Sequence, residues 1–277
     1  MKKIFLIGEV GINHNGSLKL AKDIILAAKK FGFDAVKFQK RNPDVSVPDN
    51  IKKELKNTPW GLMTYLDYKK KVEFNKKEYD EIDKYCKKIK IDWFASPWDL
   101  DSVKFLRQYK LKYNKVPSAM LTNYKLLEEI AKGRKITFIS TGMSKMKDIK
   151  NAVNIFKKNK CKFILLHCVS TYPAQEKDLN LKMILTLKKQ FKCDIGYSGH
   201  EKSVNPSLYA AVLGANYIER HITIDRTLWG TDQSASLEVN GMALLGELSS
   251  KINLILGDGK KKFLKDEKKK LETMKYW

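Results

Sequence analysis

Eight short apolar, β-rich runs alternate along this chain with amphipathic helical stretches, and that alternation narrows the possible folds more than any other feature. The runs fall at residues 4–7, 35–38, 92–95, 111–116, 136–139, 163–166, 194–197 and 217–219. Between them apolar residues recur at helical spacing, as in Leu20, Ile24, Ala28 and Phe31, or Met146, Ile149, Val153 and Phe156. Continuous apolar runs bridged by helices imply parallel strands covered on both faces. Eight such units in a chain near the usual barrel size of about 250 residues predict an α/β fold, a single-domain (β/α)8 TIM barrel. An open doubly wound sheet stays the alternative, because the order of runs does not show closure. The barrel is expected over residues 1–258, followed by a Lys-rich tail at 259–277. The stretch 41–75 is too long for an ordinary connection and is expected to be an insertion facing the active site.

Charge raises a second class of function and then weakens it. There are 54 Lys and Arg against 31 Asp and Glu, a net +23. The excess is mostly lysine pairs such as Lys29-Lys30, Lys87-Lys88 and Lys188-Lys189, spread over the polar faces of the expected helices. Only Lys260 to Lys270 is a local cluster, and no helix-turn-helix, zinc-finger or RNP signature accompanies it. Nucleic acid is therefore not expected as the main partner; the basic field instead favours small anionic substrates. The longest apolar runs, of roughly five residues, are far too short to span a bilayer, so no membrane association is expected. The basic start Met1-Lys2-Lys3 imitates a secretion signal, but its apolar run stops at Gly8-Glu9. The chain reads as cytoplasmic, and its four cysteines, without any C-x-x-C pair, read as reduced thiols.

Barrel enzymes carry their chemistry at the C-terminal ends of the strands. Those ends give Glu9, Lys37 with Gln39, Ser96, Lys115 with Ser118, Ser140 with Thr141, His167 with Ser170 and Tyr172, Ser198 with His200, and Glu219 with His221. Lys37, Lys115 and the serines have the composition of a cradle for a molecule carrying phosphate and carboxylate together. Read singly, each lysine is equally well a strand-end residue whose stem is buried and whose head is wet. His200 and His221 end consecutive strands, so two imidazoles could share one divalent cation, or both could be satisfied structural histidines. Glu9 or Asp232 could complete the metal shell or act as a base. His167 is expected to hydrogen-bond within the barrel, and His14 sits either in a turn before a Ser17 helix cap or in a substrate-contacting loop. Cys168 reads as a buried thiol. The turn Ser140-Thr141-Gly142-Met143 offers N–H groups to an anion but is no P-loop, and the lack of any strand-following G-x-G-x-x-G gives no sign of a nucleotide cofactor.

These fragments resemble a known family over nearly the whole chain. Gly8-Glu9-Val10-Gly11-Ile12-Asn13-His14-Asn15-Gly16-Ser17, Val36-Lys37-Phe38-Gln39, Ala95-Ser96-Pro97-Trp98-Asp99 and Lys115-Val116-Pro117-Ser118 come in the order seen in the sialic acid synthase (N-acetylneuraminate synthase, NeuB-like) family. Ser140 to Met143, His167-Cys168-Val169-Ser170-Thr171-Tyr172-Pro173, Gly196-Tyr197-Ser198-Gly199-His200, Glu219-Arg220-His221 and Trp229-Gly230-Thr231-Asp232 continue the match. The resemblance implies a barrel transferase that condenses phosphoenolpyruvate with an N-acylated hexosamine such as N-acetylmannosamine. Its products are a nine-carbon 2-keto-3-deoxy acid and phosphate. It implies a divalent ion, Mn2+ or Mg2+, held by His200 and His221. Phosphoenolpyruvate would be held by Lys37, Ser96, Lys115, Ser118, Ser140 and Ser198, with Gln39 and Ser170 also at the substrates. Glu9 would act on the attacking water, and Tyr172 and Asp232 on the sugar. A homodimer is implied as well.

Two departures bear on the acceptor. Met120 stands where members place a sugar-binding glutamate, and Ser170 where some have asparagine. Members also carry a small C-terminal antifreeze-like domain that gives an arginine to the partner's sugar site; here a short Lys-rich tail follows the last helix. The phosphoenolpyruvate half is expected intact and the acceptor half altered. A different sugar acceptor, and a non-catalytic descendant that binds an anion or sugar, are the alternative readings.

Overall fold

The computed structural model describes residues 3–277, so Met1 and Lys2 of the basic start lie outside the described residues. The barrel strands are β1 (Phe5–Gly11), β2 (Ala35–Lys40), β5 (Asp92–Pro97), β6 (Tyr113–Val116), β7 (Ile136–Ser140), β8 (Phe163–Cys168), β9 (Ile195–Gly199) and β10 (Tyr217–His221). Between β2 and β5 lies a hairpin of β3 (Leu55–Thr58) and β4 (Gly61–Thr64). The helices are α1 (Leu18–Lys30), α2 (Pro43–Ser46), α3 (Tyr65–Val72), α4 (Lys76–Ile89), α5 (Leu100–Leu106), α6 (Tyr124–Lys132), α7 (Met146–Lys158), α8 (Met183–Phe191), α9 (Asn205–Val212), α10 (Val239–Leu256) and α11 (Lys265–Met274). The barrel strands are parallel and pair in the order β5-β2-β1-β10-β9-β8-β7-β6. The two end strands, β5 and β6, lie alongside each other, so the sheet curls into a nearly closed barrel.

Local chemistry explains the crossovers. Helix α4 starts at Asn75, whose side chain accepts from the Lys77 and Glu78 N–H groups while Glu78 accepts from the Asn75 N–H. This reciprocal cap contributes about 1 kcal/mol. The helix then buries Tyr79, Ile82 and Cys86 against the barrel. Helix α1 is capped at Ser17, whose hydroxyl accepts from the Leu20 N–H at 3.2 Å.

One end of the barrel is plugged. Phe5, Phe94, Tyr113, Phe138 and Tyr217, from five strands, put ring centroids 5.4–6.3 Å apart. They leave the opposite, C-terminal end of the strands as the open mouth. The 41–75 insertion walls that mouth, as expected, and is more ordered than its polar sequence implies. Tyr68 and Val72 of α3 cluster with Ile12, and the Trp229 ring meets Tyr68 edge-on at 4.8 Å. The Lys-rich tail is not featureless either: it forms α11, none of whose residues is buried. No helix among the described residues is long and apolar enough to cross a membrane.

Candidate active site

Side chains alternate across a strand, so the residues that follow the aromatic floor by two and four positions also face the barrel axis. Above Phe5 come Ile7 and Glu9; above Tyr217 come Glu219 and His221; above Phe94, Tyr113 and Phe138 come Ser96, Lys115 and Ser140. Register fixes their heights: Glu9 pairs with Lys37 on one side and His221 on the other, and Ser198 with Glu219. The result is one cavity of about 700 Å3. Glu9, Lys37, Gln39, Ser96, Lys115, Ser118, Ser140, Ser170, Tyr172, Ser198, His200, His221 and Asp232, scattered over the sequence, all line it.

The lysines are buried and already engaged. Lys37 pairs with Glu9 Oε2 and lies 3.9 Å from Glu219 Oε1. Lys115 Nζ is 3.0 Å from the same Glu219 oxygen and donates to Ser140 Oγ at 2.5 Å; Ser198 Oγ also donates to Glu219, at 3.1 Å. Burial works against both charges. In Lys37 it is outweighed by Glu219 and Glu9 together, and the pKa rises. In Lys115 burial wins, because Glu219 is its main carboxylate and the Lys37 charge opposes it, so the pKa falls. Glu219 itself loses from burial, but the two lysines pull its pKa well below the carboxylate range. Gly11, at φ +53, keeps this end open: a Cβ there would meet Glu9 Oε1 at 3.1 Å, Gln39 Nε2 at 3.2 Å and Asp232 Oδ2 at 3.4 Å. Gln39 Nε2 donates to Glu9 Oε1 at 2.8 Å.

The two imidazoles meet at the rim with ring centroids 5.3 Å apart. His200 Nδ1 contacts the Val169 carbonyl at 2.7 Å, which leaves Nε2 as the lone-pair nitrogen, 3.1 Å from the Tyr172 hydroxyl. His221 Nδ1 is buried without a hydrogen bond and lies 3.6 Å from Asp232 Oδ2. Burial chiefly lowers the His221 pKa, favouring the neutral form a metal requires. Asp232 stands beside this imidazole beyond hydrogen-bond distance and so acts on it through charge alone. This donor set fits a cation that keeps its remaining positions for water and substrate. Among the described residues no three His, Cys, Asp or Glu side chains form a ready metal cage.

Other residues resolve one way. His167 Nε2 contacts the Leu179 carbonyl at 2.7 Å, inside the structure as expected. His14 stacks on Phe74 at 3.9 Å beside the Ser17 cap, so the turn reading holds. The N–H groups of the 140–143 turn are partly taken: that of Thr141 by the Leu166 carbonyl, that of Gly142 by Ser118 Oγ at 3.1 Å. Cys168 is buried, yet it lines the cavity 3.8 Å from His200 Nδ1. Burial would raise its pKa, but His200 and the hydroxyls of Ser118 and Ser170 bring it down to about 7. For His200, burial is outweighed by Cys168 and the Val169 carbonyl, and its pKa rises.

Three mouth residues carry more than sequence reasoning assigned. Glu219 was only a strand-end carboxylate there, and here it bridges both lysines. Arg41 continues the two-residue period of Lys37 and Gln39 past the end of β2, a signal that was available. Lys69, in the charged run of α3, gave none. Both line the cavity.

The NeuB family profile matches residues 24–261. The chain is 38% identical to "N,N'-diacetyllegionaminic acid synthase" of Campylobacter jejuni, over 99% of this chain and 84% of that protein. It is 37% identical to human "N-acetylneuraminate-9-phosphate synthase", over 94% and 73%. Among solved structures, the N-acetylneuraminic acid (sialic acid) synthetase of Leptospira borgpetersenii, crystallised with citrate, superposes with a TM-score of 0.87 at 36% identity, covering 98% of this chain and 91% of that one. The chain belongs to the NeuB family, and with it to the N-acetylneuraminate-synthase-like enzymes.

Proposed function

We propose that this enzyme condenses phosphoenolpyruvate with an open-chain N-acylated hexosamine of the N-acetylmannosamine type, giving a sialic-acid-like nonulosonate and phosphate. The observation that carries the reading is the single cavity in which two buried lysines, a ring of serines, Glu9 and the His200–His221 pair converge. Lys37 and Lys115, with Ser96, Ser118, Ser140 and Ser198, suit the phosphate and carboxylate of phosphoenolpyruvate: fixed charges and short donors in a site of low dielectric. Held there, its C3 forms a bond to the aldehyde carbon of the sugar, whose oxygen takes a proton and becomes a hydroxyl. Water then adds at C2, and the proton it loses passes through Glu9 to the sugar oxygen. The tetrahedral centre expels phosphate, which carries off the C2 hydroxyl proton and leaves the 2-keto acid. The contacts of Gln39 and Lys37 with its two oxygens, which fix the carboxylate at the cavity wall, support this role for Glu9. Tyr172, Asp232, Gln39 and Ser170 stand where the sugar would lie.

A divalent cation, Mn2+ or Mg2+, held by His200 and His221 would polarise the aldehyde oxygen. Met120 lines the cavity at the position of the family's sugar-binding glutamate, so sugar recognition must draw on other groups. The same reading takes residues 1–258 as the synthase barrel and 259–277 as a tail outside it.

The test is phosphate release on mixing the protein with phosphoenolpyruvate, Mn2+ and a panel of hexosamines. Silence across the panel refutes the reading. His221→Ala should abolish release with the fold retained by circular dichroism; full activity in that variant removes the metal assignment.

A further inference from the structure

Arg41 and Lys69 are two buried cations that the chemistry above leaves unused. They line the cavity where the insertion walls its mouth, Arg41 just past the end of β2 and Lys69 on α3, whereas Lys37, Ser96, Lys115, Ser140 and Ser198 lie within the barrel strands and Ser118 in the turn after β6. Each is only 9% exposed. The Arg41 guanidinium lies 3.9 Å from the centroid of the Trp98 ring and donates to Gln39 Oε1. Lys69 leaves α3 with its ammonium 5.1 Å from the Tyr65 ring and 5.0 Å from the Tyr68 ring. Among the described residues no hydrogen-bond acceptor or carboxylate pairs with that ammonium. Burial, and then the charge of Arg41, lower its pKa to about 8 against the pull of Asp232 and Glu73. The nearest carboxylates are committed elsewhere: Asp232 to His221 and Thr231, Glu73 to Lys40 and the Arg41 N–H.

A buried ammonium facing ring faces and another cation is poorly compensated. A planar guanidinium fork beside a point charge is the donor set that receives a phosphate or carboxylate. The cavity thus carries cations at two depths: Lys37 and Lys115 within the strands, which phosphoenolpyruvate uses, and Arg41, past the end of β2, with Lys69 of α3 at the mouth, which it does not. We infer that Arg41 and Lys69 bind an anionic group on the acceptor sugar, at the end remote from its aldehyde, so that this enzyme selects a charged acceptor over a neutral one. The inference rests on the condensation reading for the word acceptor, but the anion site itself is testable without turnover.

The experiment compares kcat/KM, at saturating phosphoenolpyruvate and Mn2+, for N-acetylmannosamine, its 6-phosphate and N-acetylmannosaminuronic acid. At least one charged sugar should exceed the neutral one by roughly tenfold or more, the worth of a charge-assisted pair. The better of the two identifies the group as phosphate or carboxylate. Lys69→Met and Arg41→Gln should each collapse the charged-to-neutral ratio toward one, and Lys69→Arg should restore part of it. Equal use of all three sugars, or a preference that survives both substitutions, overturns the inference. Should Arg41→Gln fail to fold, Lys69→Met decides alone. Calorimetric titration with the same 6-phosphate and uronate separates the two proposals. If no sugar turns over, yet one of the charged sugars binds and Lys69→Met weakens it about tenfold, condensation fails and the anion site stands. If neutral sugars turn over and neither charged sugar binds more tightly to the unaltered protein than to Lys69→Met, the anion site fails and condensation stands.

Discussion

Replacing Glu219 with Gln removes one charge and almost no volume, and its consequences follow from distances. Glu219 Oε1 lies 3.0 Å from Lys115 Nζ and 3.9 Å from Lys37 Nζ. At an effective dielectric of about 20, these distances correspond to gross attractions of about 5.5 and about 4 kcal/mol. Desolvation offsets much of that, and removing one partner of a buried pair costs a net ~3–5 kcal/mol, because the other charge is left uncompensated. The amide oxygen that Glu219→Gln introduces can still accept from Lys115 and Ser198, so the loss is electrostatic rather than steric. For a chain of this size the melting temperature should fall on the order of 10 °C at pH 7.

The pH dependence gives the sharper check. Without Glu219 the Lys115 pKa, already lowered by burial, falls further below its unfolded value. Between those two values the unfolded chain binds more protons than the folded one, so stability rises with pH. In the unaltered protein the raised pKa of Lys37 partly cancels the lowered pKa of Lys115. The deficit of Glu219→Gln should therefore shrink from pH 7 to pH 10, measured by circular dichroism melts and urea titrations. A variant that melts with the parent at pH 7, or whose deficit is constant across that window, would refute the account of the lysine cradle.

Three further outcomes are expected. Gly142→Ala puts a Cβ 2.2 Å from Ser170 Oγ and 2.9 Å from Ser118 Oγ; it should raise the KM for phosphoenolpyruvate several-fold, and an unchanged KM would exclude this turn from the substrate site. Gly246→Ala, far from the mouth, puts a Cβ 1.9 Å from the Phe31 carbonyl oxygen, which as backbone cannot swing away; urea unfolding should show a loss of about 1–3 kcal/mol or more, with kcat/KM per folded molecule preserved. Binding of a charged sugar should weaken as pH rises through about 8, where Lys69 sheds its proton, because a bound anion favours the protonated form; calorimetric titration from pH 7 to pH 9 checks the slope, and Lys69→Arg should flatten it.

Most of the barrel can be read from residue order. The eight expected runs begin within two residues of the observed strands, and helices such as α4 and α1 begin at their Asn and Ser caps. Hydrophobic periodicity is a local property, and a parallel strand buried on both faces has little choice of partner chemistry. The hairpin β3–β4 was not legible because its strands have only four residues each and none of them is buried, so they carry no apolar run or alternation to read. Helix α3 was not legible as a wall of the site, because its Lys69-Lys70-Lys71 run reads as a solvated face. Which of those lysines turns inward depends on the Tyr65 and Tyr68 rings beside it, the latter packed in turn against Trp229.

What order along the chain determined was the inventory: which strand ends carry lysine, serine, histidine and carboxylate, and that a two-residue period points them one way. What only the folded molecule decided was partnership. Closure set Lys115 beside Glu219, 104 residues away, and His221 beside Asp232 across a loop. Charge interactions depend on separation in space and on burial, and neither is a function of separation in sequence. That is why the lysines' differing pKa shifts, and the second pair of cations at the mouth of the cavity, belong to the folded molecule and not to the order of its residues.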